Sequence, residues 1–300
     1  MRLELTHTTA GAVRTELNRA SQRLGGLILN LVIVTDEAGQ HDAVQAASEA
    51  SWQHPCRVLG VIARNGRAES RLDADITAGE NSPGQFAVLR LYGELSEHAD
   101  SVILPLLVPD TPVVTWWPEA GPVAPAADPL GALAQRRITD AAAVPDPMAT
   151  LAELAISYRP GDTDLAWTRT TPWRSLLAAT LDLPHGPIWS GVVGAEAGNP
   201  SARLIAAWLA NRLRVPVAEE VSEGPGITSV SFETPDGPIT IARPDGRNAT
   251  LSRPGEPERY VALHRREMAD LLAEELRRLD PDEIYGETLA RLELANAGRS

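Results

Sequence analysis

The chain is 300 residues long, 43% apolar and 22% charged, and 27 basic against 40 acidic residues give it a formal net charge of −13. This is globular composition, long enough for two domains with cores of their own, and its acidic balance makes nucleic acid and anionic membrane surfaces poor partners. All the basic residues are Arg, which excludes Schiff-base and Walker-lysine chemistry, and the lone Cys56 excludes an internal disulfide or a thiolate metal cluster.

Val13, Leu17, Ala20 and Leu24 recur at helical spacing ahead of Gly25-Gly26, which predicts an amphipathic helix with a glycine stop. Leu27 to Val34 then reads as a strand buried on both faces, ending at Thr35-Asp36. This longest apolar run is too short to span a bilayer, and Met1-Arg2-Leu3-Glu4 lacks the apolar stretch of a signal peptide. With cysteine so scarce, a soluble cytoplasmic protein is expected. Asp42 to Trp52 follows as a helix, then Arg57 to Ile62, Arg71 to Ile76 and Phe86 to Leu91 as strands. Leu95 to Leu107 has helical character, and Val113 to Trp116 is a short strand. Pro118 to Pro129, rich in Pro, Ala and Gly, favours an extended loop. Ile138-Thr139 adds a strand and Met148 to Tyr158 a helix, and the turn at Arg159-Pro160-Gly161-Asp162 marks a domain boundary.

The second half repeats this order, with a strand at Ile188 to Val193, a helix from Pro200 to Leu213, and strands at Val215 to Val217, Thr228 to Glu233 and Ile239 to Ala242. The repeated order is compatible with a structural duplication, although the halves share negligible sequence identity. Met268, Leu271, Leu272, Leu276 and Leu279 form the apolar stripe of a later helix. Asp280-Pro281-Asp282-Glu283 then reads as an N-cap, a Pro at N1 and an acid at N3, opening a last helix to about Leu292. The expected fold is therefore α/β: two α/β domains with mixed sheets, residues 1–160 and 161–300, the second ending in two helices.

No catalytic constellation emerges, and no cofactor or metal is expected. Gly191 to Gly198 leads from a strand into a helix starting at Asn199-Pro200-Ser201. Gly191, Gly194, Gly198, Asn199 and Ser201 could hold an anion at that helix N-terminus, although the spacing is neither a dinucleotide fingerprint nor a P-loop. Asp162-Thr163-Asp164 could ligate a divalent ion, but turn residues without a third ligand read as structure. Tryptophan stands out, with seven Trp against two Phe. Trp116 and Trp117 run into the Pro-rich loop, while Trp167, Arg169, Trp173 and Arg174 fall within eight residues. Trp and Arg are hot-spot residues at interfaces, so these two clusters are candidate partner-binding sites, with interior packing of the indoles as the alternative. Trp189 and Trp208 sit in apolar patterns and are assigned to the core.

Taken together, Leu31 to Asp36, His54-Pro55-Cys56-Arg57-Val58, Val113 to Pro118, Asp128-Pro129-Leu130-Gly131, Arg136 to Asp140, Gly161 to Arg169, Pro172-Trp173-Arg174 and Gly198 to Ala202 resemble the glucose-6-phosphate dehydrogenase assembly protein family, OpcA, in its actinobacterial branch. The resemblance runs on through Leu271 to Asp282 and so spans almost the whole chain. It implies a non-catalytic accessory protein of the oxidative pentose phosphate pathway that binds glucose-6-phosphate dehydrogenase and promotes its assembly or allosteric activation. It does not identify a binding surface. Thiol-dependent control, associated with the cyanobacterial branch, lacks its cysteines here. The competing class is a sensor or enzyme that holds a sugar phosphate or nucleotide on the Gly191 to Gly198 loop.

Overall fold

The computed structural model describes residues 2–21, 26–64, 66, 69–77 and 84–297. These divide into two compact units that are discontinuous in sequence: residues 1–140, 161–163 and 267–281 form the first, and 141–160, 164–266 and 282–300 the second.

The first unit is built on an eight-stranded sheet. Its strands are β1 (Arg2–Thr8), β2 (Leu29–Val34), β3 (Cys56–Arg64), β4 (Arg71–Thr77), β5 (Gln85–Tyr92), β6 (Val113–Trp116), β7 (Arg136–Thr139) and β8 (Asp162–Asp164), laid side by side as β1-β4-β5-β3-β2-β6-β7-β8. β5, β3, β2, β6 and β7 are parallel, while β1 and β4 extend the sheet antiparallel. Numbered in chain order, the parallel strands lie 3-2-1-4-5, the doubly wound order with a switch point between β2 and β6. Every residue of β3 from Cys56 to Ile62 is buried, as expected of a parallel strand covered on both faces. Helix α1 (Ala10–Ser21) lays Val13 and Leu17 on Leu59, Val61, Leu72, Ile76 and Leu89. Of the predicted Gly25-Gly26 stop, Gly25 lies outside the described residues, as does Leu24 before it. Helix α2 (Gln40–Ala50) buries only Ala43, Ala46, Ala47 and Ala50 and packs closely on β3 and on α8 (Met268–Arg277). Leu95 to Leu107 is not one helix: Pro105 has no N–H for an α-helical bond, and the segment breaks into a 3-10 turn, the short α3 (Ala99–Ile103) and a second 3-10 turn.

The second unit carries six strands: β9 (Ser190–Ala195), β10 (Val217–Val221), β11 (Ile227–Glu233), β12 (Ile239–Ala242), β13 (Asn248–Ser252) and β14 (Arg259–Ala262), ordered β10-β9-β11-β12-β13-β14. Only β10 and β9 are parallel; the rest form an antiparallel meander. The matching element order of the two halves therefore does not extend to their sheets. Helix α7 (Pro200–Leu213) covers this sheet through Ala202, Ile205, Ala206 and Leu209, against Val193, Val230 and Ile241. A second core joins α4 (Pro147–Ser157), the single-turn α5 (Leu165–Thr168), α7 and α9 (Glu283–Ala297), around Leu151, Trp167, Leu204, Tyr285 and Leu289. α9 is capped by Asp282, whose Oδ1 accepts from Tyr285 N–H at 3.0 Å, two residues later than the Asp280 cap expected from sequence. Pro281 precedes that cap, outside the helix.

Candidate functional site

Two places have the residue types and position of a binding site. The first is the switch point at the carboxyl ends of β2 and β6, the place where ligands bind in open α/β sheets. The turn from β2 into α2 reads Thr35-Asp36-Glu37-Ala38-Gly39-Gln40. Asp36 Oδ1 accepts from Ala38 N–H at 2.7 Å and Gly39 N–H at 2.8 Å, so a carboxylate takes up amides ahead of the helix. Glu119, just past β6, lies so close to Gly39 that a Cβ there would collide with its carboxylate. Burial and the Asp36 charge raise the Glu119 pKa above the usual carboxylate range.

Trp116 and Trp117 lie at the same carboxyl end of β6 but do not face solvent: they are 0% and 3% exposed. The Pro-rich loop folds back over them. A side chain added at Gly121 or Gly131 would lie 3.2 Å from Trp117, and Thr115 Oγ1 donates to the Leu130 carbonyl at 3.0 Å. The first tryptophan cluster is therefore interior.

The tryptophans of the second cluster are buried as well, whereas its Arg169 and Arg174 are half-buried. Asp164 caps α5 by accepting from Ala166 N–H at 2.8 Å, and its other oxygen accepts from Ala141 N–H at 2.9 Å. Asp162 pairs with Arg137, so the Asp-x-Asp triplet is spent on structure. Trp167, fully buried, donates from Nε1 to Asp282 at 2.8 Å and packs its ring 5.7 Å from that of Tyr285. The Arg174 guanidinium lies 3.7 Å over the Trp167 ring and donates to Thr170 and Thr171, so Arg174 too is turned onto its own unit. Conversely Trp189, assigned to the core from sequence, is 57% exposed. It immediately precedes β9, where an apolar run is cut short by Pro184, Gly186 and Pro187, and Trp208 is half-buried.

Gly191 and Gly194 do not belong to an anion loop. They lie within β9, hydrogen-bonded between β10 and β11, with Phe232 and Ser229 packed where their side chains would be. Gly198, at φ +70°, makes the turn into α7, and Asn199 Oδ1 caps that helix at Ala202 N–H, 2.9 Å away. Asn199 and Ser201 instead line a cleft that the sequence did not announce, beside Arg169, Trp173, Arg243, Arg265 and Arg266. It joins Arg169 and Trp173 of the second tryptophan cluster with Asn199 and Ser201 of the glycine-loop candidate, while Trp116 and Trp117 take no part in it. Arg243, directly after β12 and 42 residues beyond Ser201, carries no local signature; an Arg at the end of an alternating apolar strand is the one available signal.

Among comparisons with known proteins, the family model described as the glucose-6-phosphate dehydrogenase subunit N-terminal domain matches residues 47–156, and that of the subunit's C-terminal domain matches residues 160–289. No curated relative matches in sequence. Among solved structures, KijD10, a 3-ketoreductase from Actinomadura kijaniata crystallised with NADP and TDP-benzene, superposes with a TM-score of 0.51 at 13% identity, covering 91% of this chain and 97% of that one. Its open conformation gives 0.50 at 13%, covering 92% and 98%. Identity this low speaks for the fold alone.

That fold family raises the question of a dinucleotide, and the residues here do not fit one. A doubly wound sheet cradles the pyrophosphate on the amides of a glycine-rich turn after its first parallel strand. In this chain that turn has no Gly-x-Gly-x-x-Gly, Asp36 occupies its amides, and Glu119 stands against Gly39, so a pyrophosphate would meet two carboxylates at the place where it needs donors. With both of its domain models matched along most of the chain, this protein belongs to the glucose-6-phosphate dehydrogenase assembly protein family, OpcA.

Proposed function

We propose that this chain is a non-catalytic subunit that binds glucose-6-phosphate dehydrogenase in the cytoplasm and holds it in a more active, assembled state, serving the oxidative pentose phosphate pathway. The observation that carries this reading is the match of both domain models over residues 47–156 and 160–289. The carboxylate-filled switch point supports the non-catalytic part, because a hydride-transfer enzyme on this sheet needs the site that Asp36 and Glu119 obstruct.

An activator acts only through a difference in affinity between two states of its target; a tenfold preference corresponds to about 1.4 kcal/mol. In this reading the Trp116, Trp117, Trp167 and Trp173 indoles work beneath the surface, keeping the loops above them in one shape, and Arg169 and Arg174 add charge near that surface. Among the described residues the exposed aromatic side chains open to a partner are Trp52, Trp189 and Tyr260, at 66%, 57% and 81% exposure. The test is size-exclusion chromatography of the chain with its cognate dehydrogenase. Co-elution that Trp189→Ala or Tyr260→Ala weakens, with no loss of melting temperature, is expected. Separate elution at micromolar concentrations of both proteins would contradict the proposal.

A further inference from the structure

The second unit of this acidic chain holds an Arg-rich cleft. Four arginines, Arg169, Arg243, Arg265 and Arg266, line it together with Trp173 and Asn199, and no carboxylate does. Its cavity volume is about 80 Å³, several times what one water needs and suited to a small anion.

Arg243 is the pivot. It is 5% exposed, and its guanidinium donates to the Leu263 and Ile227 carbonyls, both at 2.9 Å, 5.0 Å from the centre of the Trp173 ring. Among the described residues no carboxylate bridges it, although Asp245 lies near enough to attract it. Other buried arginines are treated differently: Arg136 pairs with Glu275 and Arg137 with Asp162, while Arg57 spends all three nitrogens on Gln85, Leu106 and Asn18. Among the described residues the Nε–H of Arg243 has no hydrogen-bond partner, and the same holds for the Nε1–H of Trp173, whose side chain is 2% exposed. Two buried donors are thus left unsatisfied on one cleft, which costs free energy unless something fills it. Burial and the neighbouring Arg265 both press on the Arg243 charge, so the missing group is an acceptor that carries negative charge. The N-terminus of α7 at Asn199 adds the positive end of its dipole.

We propose that this cleft binds a small phosphate-bearing anion, its oxygens accepting from Arg243 and Trp173 inside and from Arg265 at the rim. A phosphate oxygen can accept several charge-assisted bonds at once, which a single carboxylate matches less well. The group could come from inorganic phosphate or from a phosphate monoester of a small metabolite. The proposal does not depend on the dehydrogenase partnership, and its test needs no dehydrogenase.

Isothermal titration calorimetry of the whole chain with inorganic phosphate, glucose 6-phosphate and uncharged glucose separates the sources. Saturable heat with either phosphate probe and none with glucose is expected, the tighter probe naming the source. Arg265→Ser, at an exposed position, should weaken binding by about tenfold or more while leaving the melting temperature unchanged, since one charge-assisted hydrogen bond contributes about 1.5–3 kcal/mol. Arg243→Met should abolish binding, and circular dichroism shows whether it folds; Arg265→Ser decides the matter if it does not. No saturable heat up to about 10 mM of either phosphate probe, or equal binding by Arg265→Ser, would overturn the proposal.

Discussion

Replacing Trp167 with Ala separates a structural indole from a recognition indole. The side chain is fully buried, gives its N–H to the Asp282 carboxylate that caps α9, and lies between Tyr285 and the Arg174 guanidinium. A buried Trp removes about 150–200 Å² from water, which at ~25 cal/mol per Å² is about 4–5 kcal/mol, in line with the ~3–5 kcal/mol measured for such truncations. The lost hydrogen bond adds about 1 kcal/mol, and partial collapse of the cavity offsets a similar amount. For a unit of this size each kcal/mol moves the midpoint by roughly 2–4 °C, so its melting transition should fall by about 10 °C. Trp167→Phe keeps the ring and loses the N–H, and should cost about 1–2 kcal/mol. Differential scanning calorimetry of both variants is the assay. A Trp167→Ala midpoint within about 2 °C of the parent, together with weakened dehydrogenase binding, would refute the reasoning and return this indole to the surface.

Three further outcomes are expected. Burial pushes the Cys56 thiol up to about 11, so a thiol reagent at pH 8 should label the folded chain only after denaturation, and Cys56→Ser should leave partner binding unchanged under reducing and oxidising conditions; rapid labelling without denaturant contradicts this. Glu275→Ala strips the buried Arg136 of its carboxylate and should cost about 3–5 kcal/mol in urea unfolding, whereas Arg136→Met with Glu275→Leu together should cost much less; equal losses would sink the ion-pair argument. Because the pKa of Glu119 is raised in the folded state, its contribution is fully favourable below the unfolded value and is lost as pH rises through the folded one. Glu119→Gln should therefore melt higher than the parent at pH 7, with the gap closing near pH 4, and a gap that persists at pH 4 would show a different origin.

The sequence carried the parallel core well because strands buried on both faces write continuous apolar runs. Val113–Trp116, Pro200–Leu213 and Ile239–Ala242 were read to the residue, and Leu27 to Val34 within two. Strands with one solvated face were weaker signals. β1 alternates Leu3 and Leu5 with polar residues, and β13 and β14 bury little, so all three escaped. α6 (Thr171–Leu181) escapes too, since Thr170, Thr171 and Pro172 at its start read as a turn and its stripe of Trp173, Leu177 and Thr180 is short and partly polar. The stripe on α8 announced a buried face but could not say against what, and the helix returns to the first unit more than a hundred residues later to meet α2. The site was harder still. Trp and Arg near a loop are read alike whether they face in or out, and burial is decided by Gly121 and Gly131 leaving room for Trp117 and by Asp282, remote in sequence, accepting from Trp167. The Arg243 cleft is assembled from five separate segments, so no local motif could spell it.

The account's central claim is that the chain acts on glucose-6-phosphate dehydrogenase without chemistry of its own, and the most direct measurement is the dehydrogenase rate across substrate concentration, with and without the chain, coupled to light-scattering mass of the mixture. The account predicts no turnover by the chain alone, a larger complex containing both proteins, and a lower substrate requirement or higher rate in that complex. Turnover by the purified chain, or kinetics and mass unchanged by its addition at micromolar concentration, would contradict it.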